Sequence, residues 1–225
     1  MSLTVLPDLI QGTDEWHDQR RGIVTASVVD QLITTKTIQP ANNDHSRSLV
    51  ALLVAERITG WTDPTYLGDD MLRGMEDEPL AVAKYAEHFA PVSTAGFMVR
   101  DDWGFRIGYS PDGLVGDDGL VEVKSRRPKK HLQTILSGEV PPENAAQIQC
   151  GLLVSGRKWC DYLSYCGGMP LYRIHVVPDE RWFTAIVGAV KAFEDTAAQM
   201  VQQYQAATKG LPSTERSPDF EDMVI

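Results

Sequence analysis

Long apolar runs are missing from this 225-residue chain. No stretch approaches the roughly 18 to 20 apolar residues that a bilayer span needs. The opening MSLTVLPDLI also lacks the basic n-region of a secretory signal, so a soluble, cytoplasmic protein is expected. Cysteine is scarce: Cys150, Cys160 and Cys166 are odd in number and show no CxxC spacing, which argues against a zinc or redox motif and for a reducing compartment. Four cysteine ligands for an iron–sulfur cluster are not available. Positive charge is short as well, with 21 Lys+Arg against 31 Asp+Glu, a net charge of −10 and a pI near 4.9. That balance argues against a protein that coats nucleic acid, because such binding is driven by Lys/Arg and counterion release. It leaves room for a few basic groups focused in a low-dielectric channel. Repeats and Gly/Ser linkers are also lacking. What is present, 43% hydrophobic and 23% charged residues, is the composition of one globular domain with a sizeable core.

The reading is a single domain over residues 1–208 with a polar tail at 209–225. Residues 14–20 read as a short helix, followed by a second helix capped through Thr25-Ala-Ser27. Residues 36–45 read as a polar loop, and Ser46 opens a helix carrying Leu49, Val50, Leu53 and Ile58 to a stop at Gly60. A helix over 69–89 contains Pro79, which predicts a kink or break. From about residue 92 the period becomes two, giving strands in PVSTAGFMVRD, GFRIGYS and GLVEVKS with Gly116-Asp-Asp-Gly119 as a hairpin turn. Helices at 128–137 and 142–155, strands KWCDYLSYC and LYRIHVVP, and a long amphipathic helix at 179–205 complete the pattern. A sheet flanked by helices makes this an α/β fold.

The chemistry concentrates in residues 110–124. If 105–111 and 120–124 are the arms of a hairpin, the turn returns Asp112 to the side of Glu122. Residues two apart on a strand share a face, so Glu122 and Lys124 point one way and Val121 and Val123 the other. Two carboxylates and an ammonium then meet. Carboxylate oxygens are hard ligands suited to Mg²⁺, which is typically held by one or two carboxylates, waters and substrate phosphate. By chance such a D-x9-E-x-K pattern arises in roughly one chain of this length in twenty, so its company matters.

Pro111-Asp112 with Glu122-Val-Lys124 resembles the PD-(D/E)XK nuclease motif, whose fold is a restriction-endonuclease-like α/β core with a central mixed sheet flanked by helices. Three further segments, in order, resemble the bacteriophage lambda exonuclease or YqaJ-type viral recombinase family: Trp16 to Ser27, Leu72 to Ala81 and Ala146 to Gln149. The resemblance covers residues 14 to about 200. It implies that Asp112, Glu122 and the Val123 backbone carbonyl hold one metal ion, with Glu78 at a second ion through water. Mg²⁺, two ions, is the implied cofactor, with Mn²⁺ as substitute. It implies that Lys124 and Gln147 position the attacking water and the scissile phosphate, and that Arg20, Ser27 and Ser110 hold a terminal 5′-phosphate. The resemblance further implies a 5′-to-3′ exonuclease on double-stranded DNA ends, a ring-shaped homotrimer and a single-strand annealing recombinase as partner, encoded by a phage or prophage.

Plainer roles compete. Glu76 and Asp77 are rivals to Glu78 for the inward position, and only the family spacing selects Glu78. Gln149 cannot share a helix face with Gln147 and reads as a packing residue. Trp16 reads as a core anchor, His17 as structural or as a DNA contact, and His88 and His131 stay unassigned. The run KSRRPKK departs from the family pattern after Lys124, and Arg126, Arg127 and Lys129 read as a DNA track. The rival functions are a structure-specific or restriction-type endonuclease on the same fold, and a non-catalytic subunit that binds DNA ends.

Overall fold

Two prolines and two glycines set the middle of the chain. Helices α4 (Pro128–Ser137) and α5 (Pro142–Ser155) each begin on a proline and end at a glycine with positive φ, Gly138 and Gly156. Proline loses nothing at a first helical position, and glycine relieves the left-handed end. The computed structural model describes residues 2–64 and 67–216. The remaining elements, in order, are β1 (Leu3–Leu6), α1 (Asp14–Arg20), β2 (Val24–Thr25), a 3₁₀ turn (Val29–Leu32), β3 (Ile33–Thr34), β4 (Gln39–Pro40), α2 (Asp44–Thr59) and α3 (Asp69–His88). Then come β5 (Phe97–Arg100), β6 (Ile107–Tyr109), β7 (Gly113–Val115), β8 (Gly119–Ser125), β9 (Trp159–Tyr165), β10 (Tyr172–Val176) and α6 (Glu180–Ala207).

The architecture is the expected α/β one, with mixed sheets flanked by helices. Hydrogen bonding divides the strands into two four-stranded sheets, ordered β1-β5-β6-β2 and β10-β9-β8-β7, plus the small β3-β4 pair. β2 runs parallel to β6 and β8 parallel to β9, and the other neighbours are antiparallel. Helix α5 packs against strands of both larger sheets and against α6. Its Ile148 and Leu152 join Leu49 and Leu53 of α2 and Ile186, Val190 and Phe193 of α6 in the main core. Val121, Val123 and Leu163 face the other way and pack on Ala81 and Tyr85 of α3.

Several sequence expectations change. After Thr25 there is a short parallel strand and a 3₁₀ turn in place of a helix, because Val24 and Thr25 pair with Ile107 and Gly108. Residues 39–40 pair with 33–34 and are not loop. Helix α2 starts at Asp44; Asn43 is its cap, and Ser46 closes a reciprocal capping box. Pro79 does not break α3, which continues on both sides of it. The hairpin arm opposite β8 is β7, while residues 107–109 belong to the other sheet. The C-terminal tail is described only to residue 216, and residues 217–225 lie outside the described residues. Among the described residues no helix is long and apolar enough to cross a membrane.

One tertiary tie holds the N-terminal segment in place. The Gly22 N–H donates to the buried Glu56 carboxylate at 2.7 Å, and Arg57 Nε donates to the Gly22 carbonyl at 2.5 Å. The same Arg57 grips Glu194 of α6 through both terminal nitrogens, each at 2.7 Å. Such a fork on a carboxylate fixes direction as well as distance.

Candidate active site

The register of the β7–β8 hairpin, Gly113 opposite Val121, brings Asp112 alongside Glu122 and Val123. The Val123 N–H donates to Asp112 Oδ2 at 2.6 Å. Glu122 is fully buried. Its Oε1 accepts from Lys124 Nζ at 2.8 Å and from Gln147 Nε2 of α5 at 2.5 Å, and its Oε2 accepts from the Tyr109 hydroxyl at 3.3 Å. Glu78 of α3 feels the charges of Glu122 and Lys124, and Asp112 feels Glu78. Burial, then the neighbouring Glu122 and Glu78, push the Asp112 carboxyl well above the usual range. Burial and Glu122 raise Glu78 likewise. For Lys124, burial pulls downward but Glu122 and Asp112 outweigh it, so the ammonium is held above its ordinary value.

Three carboxylates thus share one ammonium, and two of them are strained toward the neutral form. Like charges gathered in a low-dielectric site need a cation. Among the described residues no three His, Cys, Asp or Glu side chains form a metal cage by themselves. A Mg²⁺-type ion does not require one, since two carboxylates plus water and substrate oxygen suffice. The donor set is all oxygen and anionic, and it fits that ion.

A second cluster is built from the N-terminal segment. Arg20, at the end of α1, donates through Nη2 to Ser27 Oγ at 3.0 Å and Thr25 Oγ1 at 3.3 Å. Its guanidinium lies over the Trp16 ring, 4.0 Å from the centroid. Trp16 Nε1 donates to Ser110 Oγ at 3.1 Å. Trp16 is therefore half-buried under an arginine and is no core anchor. Burial lowers the Arg20 guanidinium to about 10, against the pull of Glu56, so it stays charged at neutral pH. Among the described residues no carboxylate pairs with it; two hydroxyls and a ring hold it instead. A half-buried guanidinium held by hydroxyls and a ring keeps the planar donor fork that suits a phosphate or carboxylate. Ser110 stands two residues before Asp112, so the two clusters are neighbours in sequence and in space.

Comparison with known proteins follows this geometry. A profile of the YqaJ-like viral recombinase domain matches residues 15–158. The chain belongs to the YqaJ-like viral recombinase family. The crystal structure of an alkaline exonuclease, LHK-Exo, from Laribacter hongkongensis is similar, at 31% identity and a TM-score of 0.78, covering 89% of this chain and 100% of that one. The same enzyme in complex with dAMP matches equally well. A phage-related exonuclease from Haemophilus somnus 129PT shares the fold, at 12% identity and a TM-score of 0.61, covering 81% of this chain and 96% of that one. Comparison with the curated proteins finds no match.

Within this YqaJ-family chain the acidic triplet on α3 divides. Glu76 is exposed, Asp77 accepts from Ser125 Oγ at 2.6 Å, and Glu78 faces the carboxylates. Gln149 donates to the Val177 carbonyl and accepts from the Asp179 N–H, both at 2.9 Å, which is a packing role. The basic run does not lie on one surface. Arg126 turns inward to Asn144 Oδ1 and, at 3.3 Å, the Tyr162 hydroxyl, and its buried Nε has no partner among the described residues. Arg127 pairs with Asp70 at 2.8 Å, and Lys129 is exposed. His131 is buried, bonded to Ser164 and the Pro170 carbonyl, and His88 lies 3.6 Å from Glu87 at the surface. His17 meets Trp16 edge to face. Sequence reasoning missed Tyr109, Asn144 and Tyr162. Each reaches the site through a pairing more than ten residues distant, and neither spacing nor periodicity carries that signal.

Proposed function

We propose that this YqaJ-family protein is a Mg²⁺-dependent exonuclease that digests one strand of duplex DNA from its 5′ end. It releases mononucleotides and leaves a 3′ single-stranded tail for recombination by strand annealing. The observation that carries this reading is the adjacency of the two clusters: an anion receptor at Arg20 is tied through Trp16 and Ser110 to the segment bearing Asp112. A terminal phosphate held by Arg20, Thr25 and Ser27 would set the next phosphodiester beside the carboxylates. An endonuclease has no use for a receptor of chain ends at its centre.

Asp112, Glu122 and the Val123 carbonyl are the groups that would hold the first ion, and Glu78 the second through water. A bound ion supplies Lewis-acid polarisation of the phosphoryl oxygen and a bound water of lowered pKa. Lys124, kept protonated by Glu122 and Asp112, neutralises charge as it develops on the phosphoryl group. Gln147 steadies Glu122 through its amide nitrogen and lines the path of the water. Lys129, and Arg127 once released from Asp70, extend the contact along the DNA backbone, whereas Arg126 is turned inward on Asn144 and Tyr162. The net charge of −10 repels DNA from the outer surface and leaves attraction to the site. By family resemblance the protein works in the host cytoplasm as a ring-shaped homotrimer, beside a phage-type annealing protein and without a membrane.

The test is digestion of linear duplex labelled at the 5′ or the 3′ terminus, with Mg²⁺ or EDTA. The 5′ label should be released first as mononucleotide in Mg²⁺, with no release in EDTA and with closed circular plasmid left intact. Nicked plasmid would transfer the protein to the endonucleases. Equal behaviour of wild type and Asp112→Ala would remove it from the enzymes.

A further inference from the structure

Tyr109 is the last residue of β6 and is 1% exposed, deep behind the carboxylates. Its hydroxyl has Glu122 Oε2 as its one hydrogen-bond partner among the described residues. A buried hydroxyl costs free energy unless bonded, and a phenylalanine would fill the space without that cost. The ring reaches this position because α5 presents a glycine there. A Cβ on Gly151 would stand 2.7 to 3.0 Å from three ring atoms of Tyr109. Gly151 lies one turn beyond Gln147 on the same face of α5. One helix therefore delivers a donor to Glu122 Oε1 and opens the room for a donor to Oε2.

The donors can be counted against the lone pairs. Each carboxylate oxygen accepts two hydrogen bonds. Lys124 and Gln147 occupy both positions on Oε1, whereas Tyr109 occupies one on Oε2. We propose that Tyr109, seated by Gly151, is a positioning residue that fixes the Glu122 carboxylate so that a single lone pair, on Oε2, remains open as a one-point ligand for a divalent cation. This rests on the metal-dependent reading above. Tyr109 touches neither cation nor DNA and acts through Glu122.

The test is titration of the full-length, metal-free protein with Mn²⁺, followed by the electron-spin-resonance signal of free Mn²⁺, with circular dichroism as a check on folding. Tyr109→Phe should weaken Mn²⁺ binding about tenfold, as loss of a residue supporting a metal ligand does. It should lower kcat for duplex digestion and leave KM for DNA unchanged. Gly151→Ala should weaken binding similarly, and the double variant should be no worse than the weaker single one, because both changes remove the same hydrogen bond. Wild-type Mn²⁺ affinity in a folded Tyr109→Phe protein would overturn the inference. If that variant does not fold, unchanged affinity in Gly151→Ala overturns it instead. Failure of the metal reading looks different: the wild type itself would bind no Mn²⁺, and Glu122→Gln would change nothing.

Discussion

Strands β8 and β9 carry a buried carboxylate on each of their two faces, and the two are treated differently. On one face Asp161, opposite Val121, receives the Tyr85 hydroxyl at 2.6 Å, Arg173 at 3.1 Å and His175 Nδ1 at 2.7 Å. A single anion there is surrounded by donors. One residue along the register, Glu122 and Lys124 share the other face with Tyr162 and Ser164, and there three carboxylates compete for one ammonium. The contrast distinguishes a carboxylate satisfied by its own fold from carboxylates that the fold leaves in competition. The first is satisfied within the chain, and the second group is left short of positive charge.

Breaking the crowded side should have the largest effect. Asp112→Asn should lower duplex digestion on the order of 10³-fold or more, measured as acid-soluble nucleotide released. The same change should raise the thermal midpoint of the metal-free protein at neutral pH. A carboxylate whose folded pKa lies above its unfolded value supports folding below the unfolded value and opposes it as pH rises through the folded one. The metal-free wild type should therefore lose stability as pH climbs out of the usual carboxylate range, and Asp112→Asn should remove that part of the loss. On the satisfied side the signs reverse. Asp161→Ala strands a buried hydroxyl and a guanidinium and should cost about 3 kcal/mol in denaturant unfolding, while activity per folded molecule is kept. A rise in stability there would erase the distinction between the faces.

Smaller effects sharpen it. Arg20→Ala should reduce digestion of 5′-phosphorylated ends on the order of tenfold, with the gap between 5′-phosphate and 5′-hydroxyl ends closing in the variant. Lys129→Ala should change binding by about twofold at moderate salt and lower the salt slope of DNA binding by about one.

Legibility in the sequence followed the range of the interactions. Helices α4 and α5 match the sequence-based expectation because their stop and start signals are local, Pro128 to Gly138 and Pro142 to Gly156. Strand β1 carries no local signal, because its residues are largely exposed and it forms by pairing with Phe97–Arg100. The strand at Val24–Thr25 reads locally as the start of a helix for the same reason, since its partner lies more than eighty residues away. At the site, Asp112, Glu122 and Lys124 could be grouped from strand alternation and one tight turn. Glu78 and Arg20 needed the family resemblance, because α3 and α1 approach from distant parts of the chain. Tyr109 carried no local mark; its value appears only once β6, β8 and α5 are packed together.

The grip of Arg57 on Glu194 has a bearing on how the protein can be cut. The family profile ends at residue 158, yet the loop that aims Arg20 is braced by Gly22, Glu56 and Arg57 against α6, which begins at Glu180. The placement of Arg20 thus leans on a helix outside the shared segment, and a fragment trimmed to the profile would lose that brace before it lost its carboxylates.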